Sequence, residues 1–505
     1  MTTTPEGLPM GRWCRRVVPL VLVPALLALS GCTRFGATLN RPEDPVVLDG
    51  SALPKLLGTA PAHVVGFAWD GSQWHQIPVQ VDERDLVNPG QILNRPSNIW
   101  PTLSGTTTPF KILVYTPPAN PGPGYASWDT YTPHDSDPTF DANDQLSLLA
   151  NDTGKQAGAG AGAPMGVDAS TVEQVTVTDP LASGGVGYAY LYRSATLSGG
   201  GAGTTGVQYT FSLDSGAYTT TYKMGTASNG PNNLNGPNPE HSVVQTPTYR
   251  LTYGDRWLND GLSITTGGAT TTDILERGRA QVTSAGCSRT EDSFDEVWNA
   301  LPYEAGFIVN VSGPVRAIRS DIGTNSGTYT VLTDVFYPQR EDSTTDLRVH
   351  PIPGVAVFDD FTTGLTGLKY SDDQTTGVPI DGVPDAVATA HVPQWQMVSG
   401  APGSIVTTRT APNIAGLVAS TYYLDQRPAS PLPCTGDDTA WGQNGEQVLG
   451  PGGGALPCTD PTICAGAVPL TSTRFRYYEG PNLSRSTAAT LAQHAQTPVQ
   501  VSVSG

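Results

Sequence analysis

Apolar and polar residues alternate with a period of two along most of this chain. Residues 63–69, 110–116 and 187–193 combine the alternation with many Val, Ile, Thr and Tyr residues, and Gly, Pro and Asp residues separate such stretches. An extended chain with this pattern turns one side toward a core, so the pattern predicts β-strands. The helices that would have to connect parallel strands are missing. The sequence therefore predicts an all-β fold, built as a large antiparallel β-sandwich or supersandwich.

Turn and cap residues define several elements further. Residues 70–73 and 312–314 predict the turns of two β-hairpins. Residues 346–357 alternate without a clear break and are predicted to form one strand. A single short helix is expected near the C-terminus, at 484–496, because Ser484 is a suitable N-cap and a proline follows the last turn.

The domain organisation follows from composition. Residues 155–164 are rich in Gly and Ala and predict a flexible linker. It separates an N-terminal β region at 32–154 from a main β region at 165–505, which includes a Gly- and Pro-rich loop at 433–467. Residues 1–31 are a leader that is expected to be removed.

The leader indicates export. Three Arg residues precede an apolar stretch at 17–29, which is too short to cross a bilayer because that takes about 20 residues. The following run, Leu29-Ser30-Gly31-Cys32, resembles the lipobox of bacterial lipoproteins. The resemblance implies that Cys32 carries the lipid and anchors the protein to the extracytoplasmic side of the cell envelope. The alternative is an ordinary signal peptide with a chance Cys at its cleavage site.

The acidic net charge excludes some classes of binding partner. The chain has 45 acidic and 27 basic residues, a formal charge of -18. Nucleic acid is excluded as a partner, because phosphate binding needs clustered Lys and Arg residues. A polybasic membrane-binding patch is excluded for the same reason, so the membrane contact is expected through acyl chains.

Four cysteines remain after the leader and the lipidated residue are set aside. They are Cys287, Cys434, Cys458 and Cys464. In an exported chain they predict two disulfides, for which three pairings exist. We expect one bridge among the last three, which share one loop, and one bridge from that loop to Cys287. Their spacing does not fit a zinc site.

An acidic turn is a candidate calcium site. It contains Asp135, Asp137, Asp141, Asn143 and Asp144. Oxygen ligands at such short spacing suit Ca²⁺, which takes six to eight of them. The alternative is a solvated turn in which the Asp and Asn side chains bond to their own backbone. A second acidic loop, at 372–385, shows a weaker form of the pattern.

Five residues between 316 and 350 are candidate catalytic residues. They are Arg316, Arg319, Tyr337, Arg348 and His350. On strands that alternate, Arg348 and His350 share one face, and a sheet face with these side chains would bind an acidic substrate and transfer protons. The alternative is an exposed sheet face whose charges form ion pairs.

A third candidate group is aromatic. Tyr253, Arg256 and Trp257 are close in sequence, and aromatic rings beside Arg are typical of surfaces on which sugar rings stack. The alternative is that these side chains belong to the core.

Three segments of the sequence resemble those of a known group of proteins. Residues 76–84, 140–144 and 313–350 resemble those of uncharacterised exported bacterial proteins. Their bodies are similar to the supersandwich domains of carbohydrate-active enzymes such as mutarotase-like proteins and polysaccharide lyases. The resemblance implies a lipid-anchored protein that binds or processes extracellular polysaccharide; for a lyase it points to Tyr337, Arg348 and His350. The alternative is a non-enzymatic envelope lipoprotein with a structural or protein-binding role.

Overall fold

The computed structural model describes residues 34–39, 41, 43–93, 100–120, 122, 124–181, 185–200, 206–213, 240–254, 259–266, 269–270, 272–282, 290–291, 306–323, 329–427 and 440–505. Within these residues the chain is mainly β, with several antiparallel sheets and two α-helices. The predicted all-β class is confirmed. Among the helices of this part of the chain, neither has the length and apolar character needed to cross a membrane.

The strands are numbered in chain order. The first ten are β1 (Pro45–Asp49), β2 (Val64–Trp69), β3 (Trp74–Ile77), β4 (Gln80–Asp82), β5 (Arg84–Val87), β6 (Ile112–Tyr115), β7 (Ala126–Trp128), β8 (Gln145–Leu149), β9 (Asp168–Thr178) and β10 (Val186–Arg193). The next ten are β11 (Gln208–Thr210), β12 (Ser242–Gln245), β13 (Tyr249–Tyr253), β14 (Asn259–Thr266), β15 (Ala269–Thr270), β16 (Leu275–Val282), β17 (Thr290–Glu291), β18 (Gly306–Ser312), β19 (Ala317–Ile322) and β20 (Val331–Phe336). The last ten are β21 (Arg340–Leu347), β22 (Val355–Phe361), β23 (Lys369–Asp372), β24 (Val378–Pro379), β25 (Gln396–Gly400), β26 (Gly403–Arg409), β27 (Val418–Gln426), β28 (Ala440–Leu449), β29 (Leu470–Glu479) and β30 (Gln500–Ser504).

Two sheets form the central part of the molecule. The long sheet has the strand order β24-β23-β25-β26-β29-β21-β20-β19-β18-β7, and the short sheet has the order β17-β16-β22-β28-β27. Apolar residues of both sheets pack together, for example Leu347 and Leu470 of the long sheet with Val448 of the short sheet. A third sheet, β11-β12-β13-β14-β15, packs on the long sheet through Tyr209 and Phe336. The long sheet is therefore covered by other elements over much of its area.

A second, smaller sandwich lies in the N-terminal part. Its sheets have the orders β1-β8-β4 and β3-β2-β10-β9-β30, and their inner faces share one apolar core. The C-terminal strand β30 pairs with β9. The same sheet contains strands from both sides of residues 155–164, and β7 joins the long sheet. The division into two regions at that segment stays a prediction.

The helix near the C-terminus is confirmed as α2 (Arg485–Gln496). The Ser484 side chain accepts a hydrogen bond from the backbone N–H of Thr487, as expected of an N-cap. Buried residues on α2 pack against Tyr477 of the long sheet and against Trp395, which directly precedes β25. Sequence analysis missed α1 (Pro89–Ile92), a single turn capped by Asn88, because four residues show no helical period.

The single strand predicted at 346–357 was wrong. The structure has β21 up to Leu347 and β22 from Val355, with an irregular segment between them. Pro351 and Pro353 have no N–H to donate, so the chain leaves the sheet here. Arg348 and His350 therefore do not share a strand face.

The cysteine prediction is confirmed where the structure describes it. Cys458 and Cys464 form a disulfide within the loop that follows β28. Cys287 and Cys434 lie outside the described residues, as do Cys32 and the leader. The second predicted bridge and the lipid attachment stay predictions.

Candidate functional site

Arg316 and Tyr337 lie together but are closed off from solvent. The Arg316 Nη1 donates to the Tyr337 hydroxyl at 3.2 Å, and its Nε donates to Asp82 Oδ2 at 2.8 Å. Its Nη2 donates to Gln145 Oε1 at 3.1 Å. Burial raises the pKa of Tyr337 to about 12, so the phenol stays protonated at neutral pH. These bonds connect the long sheet to β4 and β8. The Arg316–Tyr337 pair therefore holds sheets together and is not open to a substrate.

Arg319 points into a different part of the core. Its Nη1 donates to Glu240 Oε2 at 2.9 Å, and its guanidinium lies 4.2 Å from the ring centroid of Tyr253. Both Glu240 and Tyr253 are buried. Of the aromatic group proposed to stack on sugar, Tyr253 therefore belongs to the core, while Arg256 and Trp257 lie outside the described residues.

Arg348 and His350 lie at two further positions. The Arg348 Nη1 donates to the carbonyl of Tyr329 at 3.1 Å. His350 is exposed, and its Nδ1 lies 3.0 Å from the carbonyl oxygen of Pro351. The structure does not bring the five predicted residues onto one polar sheet face, because 348–350 leave the strand. Their catalytic role stays a prediction without shared geometry.

The acidic turn at 135–144 holds its own backbone in place. Asp135 Oδ1 accepts from the N–H of Asp137 at 2.8 Å, and Asp141 Oδ1 accepts from the N–H of Asn143 at 2.8 Å. Asp144 Oδ2 accepts from the N–H of Asp141 at 2.9 Å. This is the arrangement of the alternative interpretation, a turn stabilised by its side chains. The calcium prediction at these residues stays untested.

The second acidic loop divides into two groups. Asp381 and Asp385 meet Asp425, while residues 372–373 meet His391, with the ligand atoms of each group within 4.8 Å of one another. Both carboxylate oxygens of Asp425 accept hydrogen bonds from backbone N–H groups. Sequence reasoning missed Asp425 and His391, since neither is adjacent to its partners in the chain.

A cavity of about 140 Å³ lies between the long sheet and the short sheet. Strands β20, β21, β26 and β29 form one wall, and β16, β22 and β28 form the other. Because side chains alternate along a strand, residues two apart line the same wall. The register places Arg474 between Ser343 and Arg409 on the long sheet. We call this space the charged cavity.

The charged cavity is apolar at one end and ionic at the other. The register of β21 and β29 sets this order, since Leu347 pairs with Leu470 and Glu341 pairs with Arg476. The apolar end is lined by Leu332, Leu347, Ile352, Val355, Val448 and Leu470. The ionic end is lined by Asp334, Glu341, Arg409, Glu446, Arg474 and Arg476.

Ion pairs cross the charged cavity from one sheet to the other. Arg409 Nε of the long sheet lies 3.3 Å from Glu446 Oε2 of the short sheet. Arg474 Nη1 lies 3.7 Å from Asp359 Oδ1, and Arg476 forms a closer pair with the same carboxylate. The Arg409 and Arg474 side chains keep 16% and 15% of their surface exposed, whereas Arg476 keeps 2%. The outer guanidinium groups are therefore within reach of a ligand from solvent.

Burial changes the protonation of these groups. It raises the pKa of Asp334 to about 6, and the nearby Glu341 carboxylate adds to the shift. Burial also raises the pKa of Glu446 and lowers the pKa of Arg409 to about 10. For Arg476 burial acts in the same direction as for Arg409, but the Asp359 and Glu341 carboxylates more than offset it and raise its pKa. Arg476 is thus firmly charged, whereas Asp334, Glu446 and Arg409 are more easily neutralised than the same groups in water.

The sequence predicted neither this site nor all of its strands, because β28 lies in the segment that was expected to be a Gly- and Pro-rich loop at 433–467 and β21 was expected only from residue 346. Arg474 and Arg476 are two residues apart on β29, and this spacing was a usable signal for one charged face. Their carboxylate partners come from strands more than a hundred residues earlier in the chain, such as Asp359. Pairing at that separation is decided by the packing of the two sheets.

No family model and no curated protein matches the sequence. The fold is similar to an alpha-mannosidase from Enterococcus faecalis V583 at a TM-score of 0.39 and 8% identity, over 92% of this chain and 45% of that chain. It is also similar to a TPR-domain containing protein from Parabacteroides distasonis ATCC 8503 at a TM-score of 0.29 and 8% identity, over 56% of this chain and 57% of that chain. This chain spans less than half the length of the mannosidase, and likeness at this level identifies no ligand or activity for it.

Proposed function

We propose that this protein is exported, is anchored to the cell envelope by a lipid on Cys32, and binds extracellular polysaccharide in the charged cavity. The leader and its lipobox-like end support the location. One observation carries the binding role. Arg409 and Glu446 face each other across the cavity at 3.3 Å, yet Arg409 Nε makes no hydrogen bond. A donor that is buried but unbonded favours a ligand that would accept from it.

The shape and polarity of the cavity suit a sugar. A volume of about 140 Å³ is on the scale of one six-membered ring with its substituents. Sugar hydroxyls both donate and accept hydrogen bonds, so they match a wall in which guanidinium and carboxylate groups are interleaved. The apolar end, formed by residues such as Leu347 and Val448, would contact the C–H surface of the ring. The charged cavity would therefore hold one sugar unit of a polysaccharide, either at its end or turned out from the rest of the polymer.

The charge around the cavity favours a neutral unit over an anionic one. The guanidinium groups at its walls are those of Arg279, Arg409, Arg474 and Arg476. Each is paired with carboxylates, namely Asp360, Glu446, Glu341 and Asp359. A carboxylate on the ligand would have to compete with these groups, whereas neutral hydroxyls would bridge them.

A glycan array on the purified full-length protein, followed by titration calorimetry of the strongest glycan, tests this role. Glu446→Gln keeps the side-chain shape, and Arg474→Gln removes an outer guanidinium. We expect each to weaken binding at least about tenfold, the effect of losing a charged hydrogen-bond partner. Arg427→Ala is the matched control, because Arg427 is an exposed arginine that does not line the cavity. It should bind like the wild type.

The same samples separate the alternatives. If the wild type binds no glycan on the array, the carbohydrate role is refuted and the non-enzymatic structural or protein-binding role is favoured. If the two cavity variants bind as well as Arg427→Ala, the ligand binds elsewhere. A reducing-end assay on the bound glycan measures turnover and separates a binding protein from an enzyme.

A further inference from the structure

A histidine and two carboxylates meet near one edge of the long sheet, at the end of β23. His391 Nε2 lies 3.3 Å from Asp373 Oδ1 and 3.8 Å from Asp372 Oδ2. One ligand atom from each of the three residues lies within 4.8 Å of the other two. Ligand atoms about 2.1 Å from one tetrahedral metal ion are about 3.4 Å from each other. The two distances from the imidazole are close to that spacing.

A chain of buried hydrogen bonds fixes the Asp372 carboxylate. Gln396 Nε2 donates to the Tyr370 hydroxyl at 3.1 Å, and this hydroxyl donates to Asp372 Oδ2 at 2.9 Å. The other oxygen, Asp372 Oδ1, accepts from the backbone N–H of Gln374 at 2.8 Å. Tyr370 and Asp372 are fully buried, and Gln396 is 4% exposed. Outer hydrogen bonds of this kind orient the carboxylate ligands of metal sites.

The imidazole and the second carboxylate reach the same place from the surface. The carbonyl oxygen of His391 accepts from the N–H of Thr421 at 2.9 Å, so the edge strand β27 holds the backbone at this residue. The ring directs Nε2 at the carboxylates, while the buried Nδ1 has no hydrogen-bond partner among the described residues. The side chains of His391 and Asp373 are 13% and 25% exposed. An ion can therefore enter from solvent, and water can complete its coordination.

A proton on the imidazole does not serve both carboxylates. With its proton on Nε2, a neutral ring donates to one acceptor, and 3.3 Å to Asp373 is longer than the usual N–H···O distance of about 2.7–3.2 Å. The 3.8 Å to Asp372 is beyond hydrogen-bond distance. A metal ion takes electron pairs from all three groups at once, so it matches their convergence.

We propose that Asp372, Asp373 and His391 bind one Zn²⁺ ion through Nε2 and one oxygen of each carboxylate. Zinc takes imidazole nitrogen and carboxylate oxygen at about 2.0–2.2 Å, and three protein ligands leave a fourth position for water. The imidazole disfavours Ca²⁺ and Mg²⁺, which take oxygen ligands. The two carboxylates offset the charge of the ion.

The zinc site is separate from the charged cavity. The register of the long sheet connects Asp372 to Arg476 through Gln396 and Thr407, which is three strand steps. At the spacing of neighbouring strands, this is about 14 Å. Zinc binding therefore does not depend on the proposed binding of polysaccharide.

Calorimetry of the full-length protein tests the site. The protein is treated with EDTA, desalted and titrated with ZnCl₂, and in a parallel experiment with CaCl₂. We expect one Zn²⁺ per chain, bound more tightly than Ca²⁺. His391→Gln and Asp373→Asn each remove one ligand and should weaken Zn²⁺ binding at least about tenfold. His63→Gln, at an exposed histidine directly before β2, and Asp385→Asn, in the neighbouring acidic group, are the matched controls and should bind Zn²⁺ like the wild type.

Thermal unfolding provides a second readout that guards against loss of folding. The wild type should have a higher Tm in ZnCl₂ than in EDTA, because an ion that binds the folded state stabilises it. Asp373→Asn changes a partly exposed side chain, so in EDTA it should unfold like the wild type, but its Tm should not rise with ZnCl₂. The proposal is overturned if the wild type gives no heat with ZnCl₂, or if His391→Gln and Asp373→Asn keep wild-type affinity for Zn²⁺. Tighter binding of Ca²⁺ than of Zn²⁺, or a loss of Zn²⁺ binding in Asp385→Asn alone, would overturn it as well.

Discussion

Asp334→Asn should stabilise the protein at neutral pH although it removes a charge beside an arginine-rich wall. Asp334 lies on β20 at the ionic end of the charged cavity and is 5% exposed. Burial raises its pKa from 3.8 to about 6, and Glu341 nearby acts in the same direction. At neutral pH the folded protein therefore holds this carboxylate ionised in an unfavourable place.

The magnitude follows from the shift. A pKa that is higher in the folded state means that folding takes up a proton between about pH 4 and pH 6, so the free energy of unfolding falls as the pH rises through this window. One unit corresponds to 1.36 kcal/mol, and a shift of about two units gives at most about 3 kcal/mol above pH 6. Asparagine does not titrate. The variant should thus equal the wild type near pH 4 and exceed it by about 2–3 kcal/mol near pH 7.5.

Urea unfolding at a series of pH values measures this difference. The quantity of interest is the difference in the free energy of unfolding between variant and wild type, followed from about pH 4 to about pH 8. Ser343→Ala is a second variant, which keeps the Asp334 carboxyl group but changes its pKa. The Ser343 side chain hydrogen-bonds Asp334 and lowers its pKa, so its removal should raise that pKa and extend the loss of stability to higher pH. A difference that stays constant with pH, or an Asp334→Asn variant less stable at pH 7.5, would refute the reasoning.

Four further variants test the buried ion pairs, the cap of α2 and the disulfide. Arg476→Met should cost about 3–5 kcal/mol by urea unfolding, because it removes the nearer cation of the buried Glu341 and Asp359 carboxylates and leaves them only the more distant Arg474; a loss under 1 kcal/mol would show that the pair is not buried. Ser484→Ala should cost about 1 kcal/mol, since it removes the N-cap of α2, whereas Ser484→Thr should retain most of the stability. Cys458→Ser opens the disulfide to Cys464 and should cost about 2 kcal/mol, because the closed loop is short; the same loss in wild type treated with reductant would confirm the source.

Several parts of the fold could be predicted from the sequence because they depend on neighbouring residues. Period-two alternation defines strands locally, and a Ser before an Ala-rich stretch defines the start of a helix. The hairpin formed by β18 and β19 follows from the turn at 312–314. The strand expected at 346–357 failed because its prolines were given less weight than its alternation.

The candidate site could not be predicted in the same way. Arg316 and Arg319 were expected on an exposed wall, yet both are buried, since the sheets that cover the long sheet come from distant parts of the chain. Alternation shows that a strand has two faces but does not show which face another sheet covers.

The sequence by itself determined the all-β class, the turns, the C-terminal helix and the short-range disulfide. These depend on backbone preferences and on contacts between residues close in the chain. The tertiary structure decided which charges face each other, above all the pairing of Arg409, Arg474 and Arg476 with carboxylates of the short sheet. The reason is physical: ion pairs between sheets form where packing brings distant strands to within a few ångströms, and no local pattern records that distance.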